Sequence, residues 1–258
     1  MANRLHFINA STTIAKAARK ELTALYPHYP IEEATTIIVL GGDGTMLKLL
    51  HEILENPIYK GKCIFGLNRG SVGFLMNNYN TENLYSRIEN AICEKIAPLK
   101  MVATTKTGHT KTALAVNEVS LFRQSHQATK ICISIDNKIR MEELICDGIM
   151  LATPAGSTAY NLSAHGPILP LEAPLLALTP VSPFRPRRWS GALLHNNSKV
   201  QFDILEAQKR PVNVSADMVE IKSVTSVVIE TAKNLEAKIL FDADHSWDER
   251  ILAEQFSS

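Results

Sequence analysis

Apolar residues along the first hundred positions follow two alternating rhythms. Short runs rich in branched side chains, Leu5 to Asn9, Thr36 to Leu40 and Cys63 to Leu67, have the length and composition of strands. Between and after them, apolar residues recur three and four positions apart over Ser11 to Leu25, Thr45 to Glu55 and Thr81 to Glu94. In the second stretch Met46, Leu49, Leu50, Ile53 and Leu54 form one face, while Lys48, His51, Glu52 and Glu55 lie off it. The spacing predicts helices, the first capped by Ser11. Strands and helices alternating in this way imply a parallel sheet with crossover helices, which gathers ligands at the carboxyl ends of its strands.

Beyond Pro98 the rhythm shortens. Thr112 to Phe122, Lys130 to Ile135, Lys138 to Glu142, Gly148 to Ala152, Lys199 to Leu205, Pro211 to Ser215, Glu220 to Thr231 and Ala237 to Leu240 read as strands, with Asp136-Asn137 as a hairpin turn. Pro167 to Pro186 is dense in proline and reads as a long irregular connection whose leucines need burial. The expected architecture is a Rossmann-like α/β domain over residues 1–98 and a mainly β domain over 99–240. A tail over 241–258 is expected to pack back on the first domain.

Composition narrows the class. A chain of 258 residues can bury the core of one large domain or two small ones. Lys and Arg number 27 against 26 Asp and Glu, and no basic run points to nucleic acid or a membrane surface. Cys63, Cys93, Cys132 and Cys146 form no CxxC pair and read as free or buried thiols in a reducing compartment. No signal-peptide pattern opens the sequence, and the longest apolar stretch, Ile168 to Val181, is broken by Glu172 and three prolines. The expectation is a soluble cytoplasmic protein.

The candidate chemistry lies in the turns. Gly41-Gly42-Asp43-Gly44-Thr45 follows one strand and opens the second helix. Glycines there let backbone amides approach a phosphate, the helix N-terminus favours an anion, and Asp43 can reach a hydroxyl or a metal. The same five residues also suit an ordinary strand-to-helix connection with Asp43 as a solvated cap. A second glycine turn, Asn68 to Leu75, follows the next strand and would share a crevice with the first. Asn117-Glu118, Asp147-Gly148 and Thr153 to Ser163 add polar groups beside apolar runs, although each, taken singly, also fits a common turn or helix entrance.

Together and in this order, these segments resemble the NAD kinase family. The match comprises Gly41 to Thr45, Gly70 to Leu75, Asn117-Glu118, Asp147-Gly148, Gly156 to Tyr160 and Gly166-Pro167-Ile168. The tail Asp242-Ala243-Asp244-His245-Ser246-Trp247 is similar to the α-proteobacterial branch. The resemblance implies an active site between an α/β domain and a β-rich domain. It implies transfer of the γ-phosphoryl of ATP, or of polyphosphate, to the 2′-hydroxyl of the adenosine ribose of NAD. It makes Asp43 the base and gives Gly41, Gly42, Gly44, Thr45 and Lys48 to phosphates. NAD would meet Asp43, Gly44, Phe74, Asn117, Glu118, Asp147, Ala155, Ser157, Thr158, Ala159, Tyr160, Asn161 and Ser163. Mg²⁺ or another divalent cation would be held mainly by nucleotide phosphates and water. A homodimer or homotetramer is implied.

The sequence departs from the family at two places. Asp217 stands where relatives often carry Asp-Gly, but Met218 follows it. Arg185, Arg187 and Arg188 replace a less basic segment; they either bind a phosphate or a neighbouring subunit, or form a solvated loop. Two other functions remain open: a lipid or sugar kinase sharing the first loop, and a non-catalytic NAD(P)-binding sensor. A dehydrogenase is set aside, since no GxGxxG follows an early strand.

Overall fold

The computed structural model describes residues 3–70, 73–243 and 247–256. Ser71 and Val72 of the second glycine turn, and Asp244, His245 and Ser246 of the tail motif, lie outside the described residues. The chain divides into two compact units, Met1–Ile96 with Leu235–Ser258, and Ala97–Asn234.

The first unit follows the alternation in the sequence: β1 (Leu5–Asn9), α1 (Thr13–Leu25), β2 (Thr36–Gly41), α2 (Asp43–Glu55), β3 (Cys63–Asn68), α3 (Leu84–Glu89) and β4 (Ile92–Ile96). β1, β2 and β3 pair in parallel. A returning strand, Ala237–Phe241, lies parallel to β3 and carries β4 antiparallel on its other side. Every residue of β2 is buried, as a central parallel strand covered on both faces requires. On one face Ala15, Ala18 and Leu22 of α1 pack with Phe7, Ile38, Leu40 and Phe65. Elsewhere α2 buries the five apolar residues that its spacing singles out.

Three expectations change here. The helix expected over Thr81 to Glu94 is only Leu84–Glu89, because Asn90 ends it and the next residues fill the open side of the returning strand. That strand falls within the 99–240 span expected to be β-rich, yet its ladder belongs to the first sheet. The first helix is capped by Thr12, whose side chain accepts from Ala15 N–H, and not by Ser11.

The second unit is antiparallel. Its strands are β5 (Leu99–Thr105), β6 (Thr110–Ala115), β7 (Glu118–Arg123), β8 (Thr129–Ile135), β9 (Lys138–Cys146), β10 (Gly148–Ala152), β11 (Leu175–Val181), β12 (Ala192–His195), β13 (Val200–Ile204), β14 (Val212–Ala216) and β15 (Val219–Thr231). They run in the order β12-β11-β10-β7-β14-β15-β13-β8-β9, with β5 joining β15 to β6. The Asp136-Asn137 turn is a two-residue hairpin, both residues left-handed at φ 52° and 62°. A single helical turn, α4 (Tyr160–Ser163), follows a 3₁₀ segment at Ala155–Thr158.

The proline-rich stretch contains a buried strand, β11, where an irregular connection is expected. Pro180 is tolerated because the β12 ladder covers only Leu175 to Leu178, so its missing N–H falls beyond that ladder. The run Thr112 to Phe122 is two strands, broken at Val116-Asn117. All four cysteines are free, and burial pushes the Cys146 thiol up to about 12. No helix among the described residues is long and apolar enough to cross a membrane.

Candidate functional site

In the first unit the two glycine turns lie side by side. Arg69 N–H donates to the Gly41 carbonyl at 2.7 Å, and a Cβ on Gly70 would stand 3.2 Å from Gly42 Cα. Only residues without side chains let the two backbones approach this closely. Among the described residues no side chain caps α2 at Gly42, which leaves its N-terminal N–H groups and the positive end of its dipole to an anion. Beside them lies a cavity of about 440 Å³ lined by Asn9, Ser11, Gly44, Thr45, Lys48 and Glu52. This arrangement suits an anion.

Asp43 does not act as a solvated cap. Its carboxylate accepts Phe74 N–H at 2.8 Å and Leu75 N–H at 3.0 Å, binding the second turn to the first. Burial raises its pKa above the usual carboxylate range; the two N–H donors and the nearby Arg250 cation oppose that rise. Each oxygen keeps lone pairs for a further partner. The Phe74 ring is half-buried and lies 6.3 Å from the Trp247 ring, at the start of the C-terminal helix Trp247–Phe256. Nothing in the sequence singles out Arg250 on that helix, whose spacing carries no motif.

In the second unit Asp217 explains the break between β6 and β7. Its carboxylate accepts three successive backbone N–H groups, from Val116 (2.6 Å), Asn117 (3.0 Å) and Glu118 (3.1 Å). Asp217 itself is left-handed at φ 46°, while Met218 is not, so methionine in place of glycine costs no backbone strain. Asp217 is therefore an anchor for the Asn117-Glu118 backbone.

On the other side Thr153 holds the same backbone. Its hydroxyl donates to Val116 O at 2.6 Å and its N–H to Asn117 O at 2.9 Å. A Cβ on Gly156 would sit 2.2 Å from Asn117 O, so the turn packs directly against this backbone. With the backbone fixed, the Glu118 side chain remains available: its Oε2 is buried without a partner. Burial and then the Asp217 charge push the Glu118 carboxyl up to about 7.

That shift has a sign that can be tested. The folded state holds the Glu118 proton more tightly than the unfolded chain, so stability from this group falls as pH rises from about 4.5 through about 7. Thermal melts of Glu118→Gln should show a gain over wild type that grows across this window and levels off above it. A constant difference across the window would contradict the burial account.

The remaining expected residues separate into two groups. Tyr160 is 42% exposed, its ring 5.7 Å from Phe122, and Ser163 is exposed; Thr158 and Ala159 are half-buried. Asp147 pairs with Arg123 at 2.6 Å, a partner that sequence reasoning did not single out because it ends an otherwise unremarkable strand. Ala155, Ser157 and Asn161 are buried instead. Ser157 Oγ donates to Pro154 O and accepts Leu169 N–H; the Asn161 carboxamide donates to Ser157 O and Pro167 O and accepts from Thr179 Oγ1. These two side chains brace the turn from within. Arg185, Arg187 and Arg188 are exposed, with the first two guanidinium groups flanking the Phe184 ring at 5.6 and 5.8 Å.

Comparison with known proteins bears on this arrangement. A profile of the ATP-NAD kinase C-terminal domain matches residues 116–234. The NAD kinase of Mesorhizobium japonicum is 57% identical over 99% of this chain and 98% of its own length. That of Brucella suis is 60% identical over 98% and 96%. Two solved structures share the fold at low identity. Yeast NADH kinase complexed with NADH matches at TM-score 0.82 and 20% identity, over 99% of this chain and 88% of that one. An Archaeoglobus fulgidus NAD kinase in complex with ATP matches at 0.75 and 22%, over 97% and 98%.

Proposed function

The chain belongs to the NAD kinase family, and on that premise we propose that Asp43 is the base for its reaction. The enzyme transfers the γ-phosphoryl of ATP to the 2′-hydroxyl of the adenosine ribose of NAD, giving NADP. Phosphoryl transfer has a loose transition state, so the protein mainly positions the reactants and neutralises charge. Asp43 orients the hydroxyl first and takes its proton late, as the O–P bond forms. The observation that carries this reading is the anchored carboxylate of Asp43, set beside an uncapped helix N-terminus.

Asn117 is assigned to the adenine edge and Glu118 to a ribose diol, a reading supported by the anchored backbone of the pair and the unpartnered Glu118 Oε2. Asp147, Thr158, Ala159, Tyr160 and Ser163 line the dinucleotide, with Phe74 as an apolar wall. The Gly41, Gly42, Gly44, Thr45 and Lys48 group takes the donor phosphates, whether of ATP or of polyphosphate. A divalent cation, Mg²⁺ foremost, neutralises phosphate charge. The free thiols suit a cytoplasmic setting. The edge strands β9 and β12, with Ile139 and Leu193 exposed, are the surfaces assigned to a homodimer or homotetramer.

Purified protein given NAD and Mg²⁺ should form NADP with ATP, and polyphosphate tested in parallel identifies the second donor. NAD binding without NADP from either donor would favour the sensor function, and phosphorylation of a lipid or sugar alone would favour the other kinase class.

A further inference from the structure

Arg250, on the C-terminal helix, is only 6% exposed. Its Nη1 donates to the carbonyls of Phe74 at 2.6 Å and Met76 at 2.5 Å, and its Nη2 to Asn77 Oδ1 at 3.1 Å. The same short segment gives its Phe74 and Leu75 N–H groups to the Asp43 carboxylate. One stretch of backbone is thus held by a cation at its carbonyls and by the candidate base at its amides. Asn77 fixes the far end: its Nδ2 donates to Leu240 O, and its Oδ1 also accepts Asp242 N–H.

A buried guanidinium is an expensive way to secure a backbone, since apolar packing often stabilises as well without the desolvation cost. The charge finds a use in Asp43. Burial lowers the Arg250 pKa to about 10, and the Asp43 and Asp242 carboxylates favour its charged form. Asp242 is itself paired with Arg87 of α3, through Nε at 3.0 Å and Nη2 at 2.5 Å.

We infer that Arg250 is a positioning residue for phosphoryl transfer, holding the 74–77 segment so that its amides aim the Asp43 carboxylate. The inference rests on the assignment of Asp43 as base. It gives the C-terminal helix a part in turnover without contact with either substrate. The positive charge also favours ionised Asp43, the form able to accept a proton.

The test is steady-state kinetics of NADP formation across pH for Arg250→Met and Arg250→Lys, alone and combined with Asp43→Asn. Arg250→Met should lower kcat roughly 10- to 100-fold, leave KM for NAD within about threefold, and move the acidic limb of the kcat profile to higher pH. Arg250→Lys keeps the charge but not the fork, so it should restore part of kcat and leave the limb near its wild-type position. On an Asp43→Asn background, Arg250→Met should cost little more. A loss of rate that matches only the lost folded fraction by circular dichroism, with the limb unmoved, would overturn the inference. So would a full multiplicative loss on top of an already inactive Asp43→Asn. Should Arg250→Met fail to fold, Arg250→Lys carries the test: an unchanged kcat per folded molecule at all pH values overturns it. Wild-type turnover in Asp43→Asn alone would overturn the base assignment, whatever the Arg250 variants do.

Discussion

Asp43→Asn should remove nearly all NADP formation while the protein folds and binds NAD as before. The substitution keeps the shape of the side chain but removes the proton acceptor, and general-base catalysis typically contributes about 10²–10⁴-fold. It also disturbs the loop. An asparagine presents one acceptor oxygen and one NH₂ group, so one of the two N–H groups of Phe74 and Leu75 faces a donor instead of an acceptor. The protein should still fold, because removal of a charge that burial disfavours offsets part of the lost hydrogen bond. The residues assigned to NAD in the second unit are untouched, and its Kd should stay within about threefold. Turnover measured at saturating NAD and ATP, with NAD binding followed by calorimetry, separates the effects. Retained turnover would rule out the base role. Lost NAD affinity would show that Asp43 chiefly binds the acceptor.

Gly156→Ala should be among the most damaging single methyl additions in the second unit. Its Cβ would lie 2.2, 2.4 and 2.5 Å from the Asn117 O, C and Cα, all backbone atoms held in turn by Asp217 and Thr153. No side chain can swing aside, so the Asn117-Glu118 backbone or the whole turn must move. Overpacking of this kind costs about 1–3 kcal/mol, and displacement of the assigned adenine and ribose contacts should weaken NAD binding at least about tenfold. Gly44→Ala is the control for stability: its Cβ would meet nothing within 4 Å, and the change in melting free energy should stay within about 0.5 kcal/mol. Equal NAD affinity in Gly156→Ala and wild type would remove Asn117 and Glu118 from the binding assignment.

Local rhythm made much of the first unit legible. β1 begins and ends where its apolar run does, and α2 buries the five residues of its predicted face. What rhythm could not show was partnership at long range. β4 looks like the end of a helix until its neighbour, the returning strand more than a hundred residues later, is known. β11 is masked by prolines that a strand tolerates only where the adjoining ladder has ended. The site divides in the same way. Asp43 and Asn117-Glu118 stand out as polar groups in apolar surroundings, but the groups that aim them, Asp217 and Arg250, act across about a hundred residues or more and carry no local signature. Ser157 and Asn161 resemble exposed binding residues in sequence because polarity alone does not distinguish a ligand contact from an internal brace.

The returning strand also sets an order of assembly during synthesis. Residues 97–234 form a contiguous unit, whereas the sheet of the first unit lacks the strand that joins β3 to β4 until residues 237–241 have left the ribosome. The later-encoded β-rich unit therefore needs nothing encoded after it, whereas the phosphate-loop unit stays a three-stranded sheet with an open edge until the returning strand is made, and an open edge exposes a nascent protein to aggregation.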